Sequence, residues 1–170
     1  AIVTGGSRGV GAATAKILSE NGWNVIITCS SSIEDAKLVA ANCSNKSTEV
    51  FAFQADVANE QDCIATIDKA IEKWKRIDAL INNAGTSDPK RFKDLDEESW
   101  NYVLNTNLNG AYRVAKNFTD QLIKSKKSGS IVNIASILGL RVGFNLSSYA
   151  TAKAGLIQLT KSMALSLIHI

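Results

Sequence analysis

Short, uninterrupted apolar runs alternate along this chain with longer stretches of helical periodicity, and that alternation leaves few folds open. The runs "AIVT" (1–4), "NVIITCS" (24–30), "EVFAFQAD" (49–56), "DALINNAG" (78–85) and "GSIVNIAS" (129–136) read as strands. Between them, helices are expected from about Val10 to Asn21 with Gly22 closing the turn, from Ile33 to Cys43, and over 60–74, where Ile64, Ile67, Ala70, Ile71 and Trp74 share one side. A long helix is expected within Asp94–Lys124, and another holds the run "SYATAKAG" (148–155). Strands that are apolar on both faces must be covered on both faces, which is the condition of a parallel sheet between two helical layers. Right-handed crossovers make that an α/β, doubly wound sheet of five strands and five helices. No repeat, low-complexity tract or linker interrupts it, so residues 1–165 are expected to form one domain.

Composition narrows the class. Of 170 residues, 45% are hydrophobic and 21% charged, a globular balance. The net charge of +3 comes from 19 basic and 16 acidic residues, too even to point to nucleic acid, and Lys126-Lys127 reads as a solvated helix end. No apolar run reaches membrane-spanning length. Three cysteines, Cys29, Cys43 and Cys63, give an odd number with no Cys-x-x-Cys pair. That disfavours a disulfide framework or zinc site and favours a reducing, cytoplasmic setting. Any targeting segment would lie upstream, because "AIVTGG" is already strand and turn. The sole histidine, His169, leaves a Ser-His-Asp hydrolase or histidine metal site nothing to work with. The closing "LSLIHI" is also what CTG TCT CTT ATA CAC ATC encodes, the end sequence of a transposase used in sequencing libraries; residues 166–170 are therefore expected to be translated adaptor.

In wound sheets, ligands sit beyond the carboxyl ends of the strands, and the chemistry-bearing residues fall there. "TGGSRGVG" (4–11) follows a strand and opens a helix. Gly5, Gly9 and Gly11 allow a tight turn and close approach of a pyrophosphate, with Gly6, Ser7, Arg8 and Val10 completing the cradle at the helix N-terminus. This is a Rossmann-type dinucleotide turn. At the end of the second strand, where an acid would hold the ribose hydroxyls of NAD, stand Cys29, Ser30 and Ser31. Nothing there repels a 2′-phosphate and Arg8 can pair with one, so NADP is favoured over NAD. Ser32 is expected to cap the next helix. Asp56, with Val57 beside it, ends the third strand and can accept from the adenine amino group. Asn82-Asn83-Ala84-Gly85 ends the fourth, the asparagines tying loop backbone together and Gly85 admitting the cofactor closely; each of these also fits ordinary turn chemistry. On the long helix, Asn107 interrupts the apolar stripe of Trp100, Val103, Leu104, Leu108, Ala111, Ala115, Phe118 and Leu122. It is either a satisfied core amide that bends the helix or a residue that holds a water or a lysine at the site. Ser136 ends the fifth strand. Tyr149 and Lys153, four apart, share one helical face, and an ammonium beside a phenol favours the phenolate.

Taken together, Thr4-Gly5-x-x-x-Gly9-x-Gly11, Asp56, Asn82-Asn83-Ala84-Gly85, Asn107, Ser136 and Tyr149-x-x-x-Lys153 resemble the short-chain dehydrogenase/reductase family in its single-domain branch, over residues 1 to about 165. "TGGSRGVG" and "YATAKAGL" are most like its 3-oxoacyl-[acyl-carrier-protein] reductases. The resemblance implies hydride transfer between NADPH and a small carbonyl or alcohol substrate. It casts Tyr149 as general acid/base, Lys153 as its partner and grip on the nicotinamide ribose, Ser136 as donor to the substrate oxygen, and Asn107 as anchor of a water leading to Lys153. It also implies a homo-oligomer through the helices that bear Asn107 and Tyr149, and additional strands beyond this chain, without which a sheet edge and one face of the last helix stay uncovered and the piece is inactive. A catalytically silent nucleotide-binding scaffold or sensor is the alternative on the same fold. A nucleotide-sugar epimerase would space its glycines Gly-x-x-Gly-x-x-Gly, unlike this turn.

Overall fold

Ile2 and Val3 are adjacent in the chain, so on a strand they face opposite ways, and each meets a different core. The computed structural model describes residues 1–169. Ile2 joins Ile26, Leu80, Cys63, Ile67, Val114, Phe118 and Leu122 in one apolar cluster, while Val3 joins Val25, Ile27, Ile81, Ala15, Ala36 and Ala40 in the other. The strands are β1 (Ile2–Val3), β2 (Val25–Cys29), β3 (Val50–Gln54), β4 (Ala79–Asn82) and β5 (Ser130–Asn133). All pair in parallel, in the order β3-β2-β1-β4-β5. The order reverses between β1 and β4, and the crevice at that switch point is where a ligand fits. Helices α1 (Gly9–Glu20) and α2 (Ile33–Cys43) cover the Val3 face; α3 (Glu60–Trp74) and the later helices cover the Ile2 face.

The expected long helix is three pieces: α4 (Glu97–Leu104), a π-helical turn over Asn105–Gly110, and α5 (Ala111–Ser125). It begins later than Asp94 because Asp96 caps it, accepting from the Ser99 N–H at 2.7 Å, while Phe92–Asp94 form a separate 3₁₀ turn. Asn59 caps α3 in the same way, accepting from the N–H groups of Gln61 at 2.8 Å and Asp62 at 3.3 Å. Ser32 does not cap α2: it stands at the right position, but its hydroxyl makes no capping bond and only its carbonyl accepts, from Ala36. Lys126 ends α5 in the left-handed region and, with Lys127, is exposed as expected. The last helix, α6 (Ser147–Ser166), runs through Tyr149 and Lys153.

A chain of amides and a hydroxyl fixes α6 to the sheet. Asn82 donates to the Ala111 carbonyl at 3.1 Å and to Asn133 Oδ1 at 2.9 Å; Asn133 donates to Thr160 Oγ1 at 2.8 Å, which donates to the Leu156 carbonyl at 2.7 Å. Within the described residues β5 pairs only with β4, and Val132 is 51% exposed, so the expected open edge is there. Leu165, near the end of α6, is exposed as well. Of the expected adaptor residues 166–170, Ser166 closes α6, Leu167–His169 form a turn, and Ile170 lies outside the described residues. Among the described residues no helix is long and apolar enough to cross a membrane.

Candidate active site

The site is assembled from the glycine turn upward. Gly5 adopts φ +65°, and a Cβ there would fall 2.9 Å from the Ala84 backbone. At Gly11 a Cβ would lie 2.3 Å from the Gly5 carbonyl oxygen. Both positions therefore exclude a side chain, and the turn packs directly on α1. Arg8, extended at the N-cap of α1, supplies no capping side chain, so the first-turn N–H groups stay open to the crevice with the positive end of the helix dipole behind them. Asn83 donates to the carbonyls of Thr4 and Gly5, each at 2.9 Å, and Thr4 Oγ1 accepts from the N–H groups of Asn83 and Ala84, each at 3.0 Å. The end of β4 is thus stitched to the glycine turn, as expected of the asparagine. The share of Thr4 in that stitch went unassigned in the sequence; its signal is a hydroxyl on an otherwise apolar buried strand.

Two clefts open along this edge. The first, of about 250 Å³, lies over the glycine turn and the ends of β2 and β3, and is walled by Gly5, Arg8, Ser30, Asp56, Val57 and Tyr102 among others. Cys29 borders it too, but its residue is only 5% exposed and packs in the cluster under α1 and α2. Ser30 and Ser31 are the exposed members of that trio. Asp56 spends Oδ1 on its own turn, accepting from the Ala58 N–H at 2.9 Å. Tyr102 on α4 and Thr106 in the π turn were not singled out in the sequence, because an exposed tyrosine and a half-buried threonine on a helix look like ordinary surface.

The second cleft, of about 420 Å³, brings together Asn83, Asn107, Ala135, Leu146, Tyr149 and Lys153; Gly85 and Thr86 wall both clefts. Lys153 is 4% exposed, donates to the Ile134 carbonyl at 2.7 Å, and holds its ammonium 5.7 Å from the centre of the Tyr149 ring. Burial pushes its pKa below the ordinary lysine value. Asn107, 1% exposed, is satisfied by the protein: it donates to Thr86 O at 2.8 Å and Val103 O at 2.9 Å and accepts from the Thr86 N–H at 3.3 Å. Gly85 carries no side chain because a Cβ would stand 2.8 Å from Asn107 Oδ1. Ser136 lies three residues beyond β5 rather than at its end, and it is not part of the cleft wall that its neighbour Ala135 lines. Its hydroxyl oxygen accepts from the Leu138 N–H at 3.1 Å, starting a 3₁₀ turn, and its proton remains free to donate.

An uncapped helix N-terminus beside a glycine turn thus adjoins a cleft that holds a tyrosine and a buried lysine one helical turn apart. Residues 1–169 match the sequence profile of the short chain dehydrogenase family. The chain belongs to that family. It is 35% identical over 164 residues, 96% of its length, to a 3-oxoacyl-[acyl-carrier-protein] reductase of Staphylococcus aureus, and spans 66% of that reductase. Its fold superimposes with a TM-score of 0.92 on NAD⁺-bound xylitol dehydrogenase, at 32% identity over 98% of this chain and 64% of the other. The same score relates it to a metagenomic short-chain oxidoreductase in complex with NADP, at 28% identity over 99% of this chain and 76% of the other.

Proposed function

We propose that the protein carrying this chain is an NADP-dependent oxidoreductase that interconverts a carbonyl and an alcohol, with Tyr149 as general acid/base. The observation that carries this reading is the convergence of Tyr149 and Lys153 in a cleft that shares the Gly85–Thr86 wall with the cleft over the glycine turn. A dinucleotide fits the residues present: the side-chain-free approach at Gly5 and Gly11 and the open N–H groups of α1 suit a pyrophosphate. Arg8, Ser30, Asp56, Val57, Asn83, Ala84 and Gly85 would hold its adenosine half, with Gly6, Ser7, Gly9 and Val10 completing the phosphate turn. Tyr149 and Lys153 would face its nicotinamide half. When bound, NADPH supplies the hydride.

The chain's own groups manage the proton. The Tyr149 hydroxyl gives its proton to the substrate oxygen during reduction and recovers one afterwards. Lys153, pinned by Ile134 O, holds a positive charge beside the phenol ring and releases a proton more readily than an exposed lysine does. Ser136 keeps a free O–H for the substrate oxygen. Asn107 has committed both amide hydrogens to main-chain carbonyls, so a water leading to Lys153 would meet its Oδ1 or the carbonyls of the π turn. Xylitol dehydrogenase is bound to NAD⁺ and the metagenomic oxidoreductase to NADP, so the preference for NADP rests on the absence of an acid at the end of β2 and on Arg8. The similarity to the staphylococcal reductase favours a 3-oxoacyl thioester as substrate. Tyr112 and Ile123, exposed on α5, suit a subunit contact in a homo-oligomer, and a cytoplasmic setting suits the unpaired cysteines.

In the full-length protein, Tyr149→Phe should abolish NADPH oxidation with carbonyl substrates while NADPH fluorescence still reports binding. Undiminished turnover in that variant would overturn the assignment.

A further inference from the structure

We propose that Tyr102 is a further cofactor-contact residue, its ring forming the wall against which the adenine base packs; this rests on the dinucleotide reading above. Tyr102 is the only aromatic residue lining the first cleft among the described residues, and it stands there with Arg8, Ser30, Asp56 and Val57. Those neighbours supply a cation, hydroxyls and a carboxylate for the phosphate, ribose and exocyclic amine, but no flat apolar surface for the base itself. Tyr102 supplies one. At 54% exposure the ring is open to a ligand, while its hydroxyl is already occupied, accepting from Thr86 Oγ1 at 3.0 Å. The phenol is therefore held at its tip beside the cleft that it lines.

Thr86 is held from both α4 and the π turn: Tyr102 lies on α4 and Asn107 in the turn over Asn105–Gly110. Both then hold Thr86, Asn107 by its main chain and Tyr102 by its hydroxyl. Other exposed aromatics, Phe92, Tyr112 and Phe144, line neither cleft.

The test is binding of three probes to the full-length protein: NADPH, adenosine 2′,5′-bisphosphate, and reduced nicotinamide mononucleotide. Tyr102→Ala should weaken the first two by about tenfold, the scale of losing one base–aromatic stack, and leave the third unchanged. Tyr102→Phe, which keeps the ring, should stay within about twofold of the parent. Because the residue is half exposed, truncation opens no core cavity, and a melting curve checks that the fold is kept. Unchanged binding of NADPH and the bisphosphate to the alanine variant would overturn the proposal. So would a phenylalanine variant as weak as the alanine one, since that would place the effect in the hydroxyl's hold on Thr86. Failure of the parent protein to bind NADPH or the bisphosphate would instead overturn the dinucleotide reading.

Discussion

Cys29 and Ser30 are neighbours in sequence but belong to different environments: the first is packed under α1 and α2, the second faces the cleft. An acid meant to hold ribose hydroxyls and repel a 2′-phosphate therefore belongs at Ser30. Ser30→Asp should move the NADP/NAD ratio of kcat/KM toward NAD by about tenfold, equivalent to about 1.4 kcal/mol, as measured with both cofactors. Cys29→Asp should instead lower the melting temperature, because it buries a carboxylate. The stretch was legible as the end of β2, yet which of its members faces the cleft was not; strand alternation turns over with a single residue, and the strand's end is set by its pairing with β3. Lys153 carries a pH signature. Its folded pKa lies below its unfolded one, so the unfolded chain holds the proton more tightly and stability rises with pH up to the lysine value of 10.5. Lys153→Met, freed of that buried charge, should melt higher than the parent near pH 7, with the gap narrowing toward about pH 10.

At the scale of elements, the ends of helices are set by capping side chains. Asn59→Ala should cost about 1 kcal/mol by denaturant titration, since it frees two N–H groups at the start of α3. Asp96 caps α4, and Lys90, then the Ser99 N–H, hold its carboxyl well below the usual carboxylate range. A lowered carboxylate pKa stabilises the fold above the unfolded value and loses that effect as pH falls. The difference in melting temperature between the parent and Asp96→Asn should therefore be constant above about pH 4 and narrow progressively as the pH falls below it. The bounds of α2 and α3 were legible from apolar periodicity over Ile33–Cys43 and Glu60–Trp74, and at α3 the Asn59 cap agrees with it. The π turn was not, because the apolar stripe keeps helical spacing on either side of Asn107. Its trace in the sequence is only the weak helix formers Asn105, Asn107, Asn109 and Gly110, and the last of these is needed because a Cβ would press on Val57.

At the scale of the molecule, two apolar layers hold one sheet, and the site sits where strand order reverses between them. Phe118 spans the α5 side of that core and is fully buried, so Phe118→Ala should cost roughly 3–5 kcal/mol by chemical denaturation. The doubly wound architecture was legible because each buried strand is apolar on both faces. The tie from Asn82 through Asn133 to Thr160 was not, because polar residues so far apart in sequence give no sign that they meet. The π turn also constrains the chain in a way that substitution does not reveal. A π turn advances less per residue than an α turn, so the stretch Asn105–Gly110 turns the helix about as far as an α-helical stretch one residue shorter. Removing one residue between Leu104 and Ala111 would let α4 and α5 merge into one regular helix with Val114, Phe118 and Leu122 still on the sheet, while Asn107 would move off Thr86. The additional residue serves the cleft and not the core.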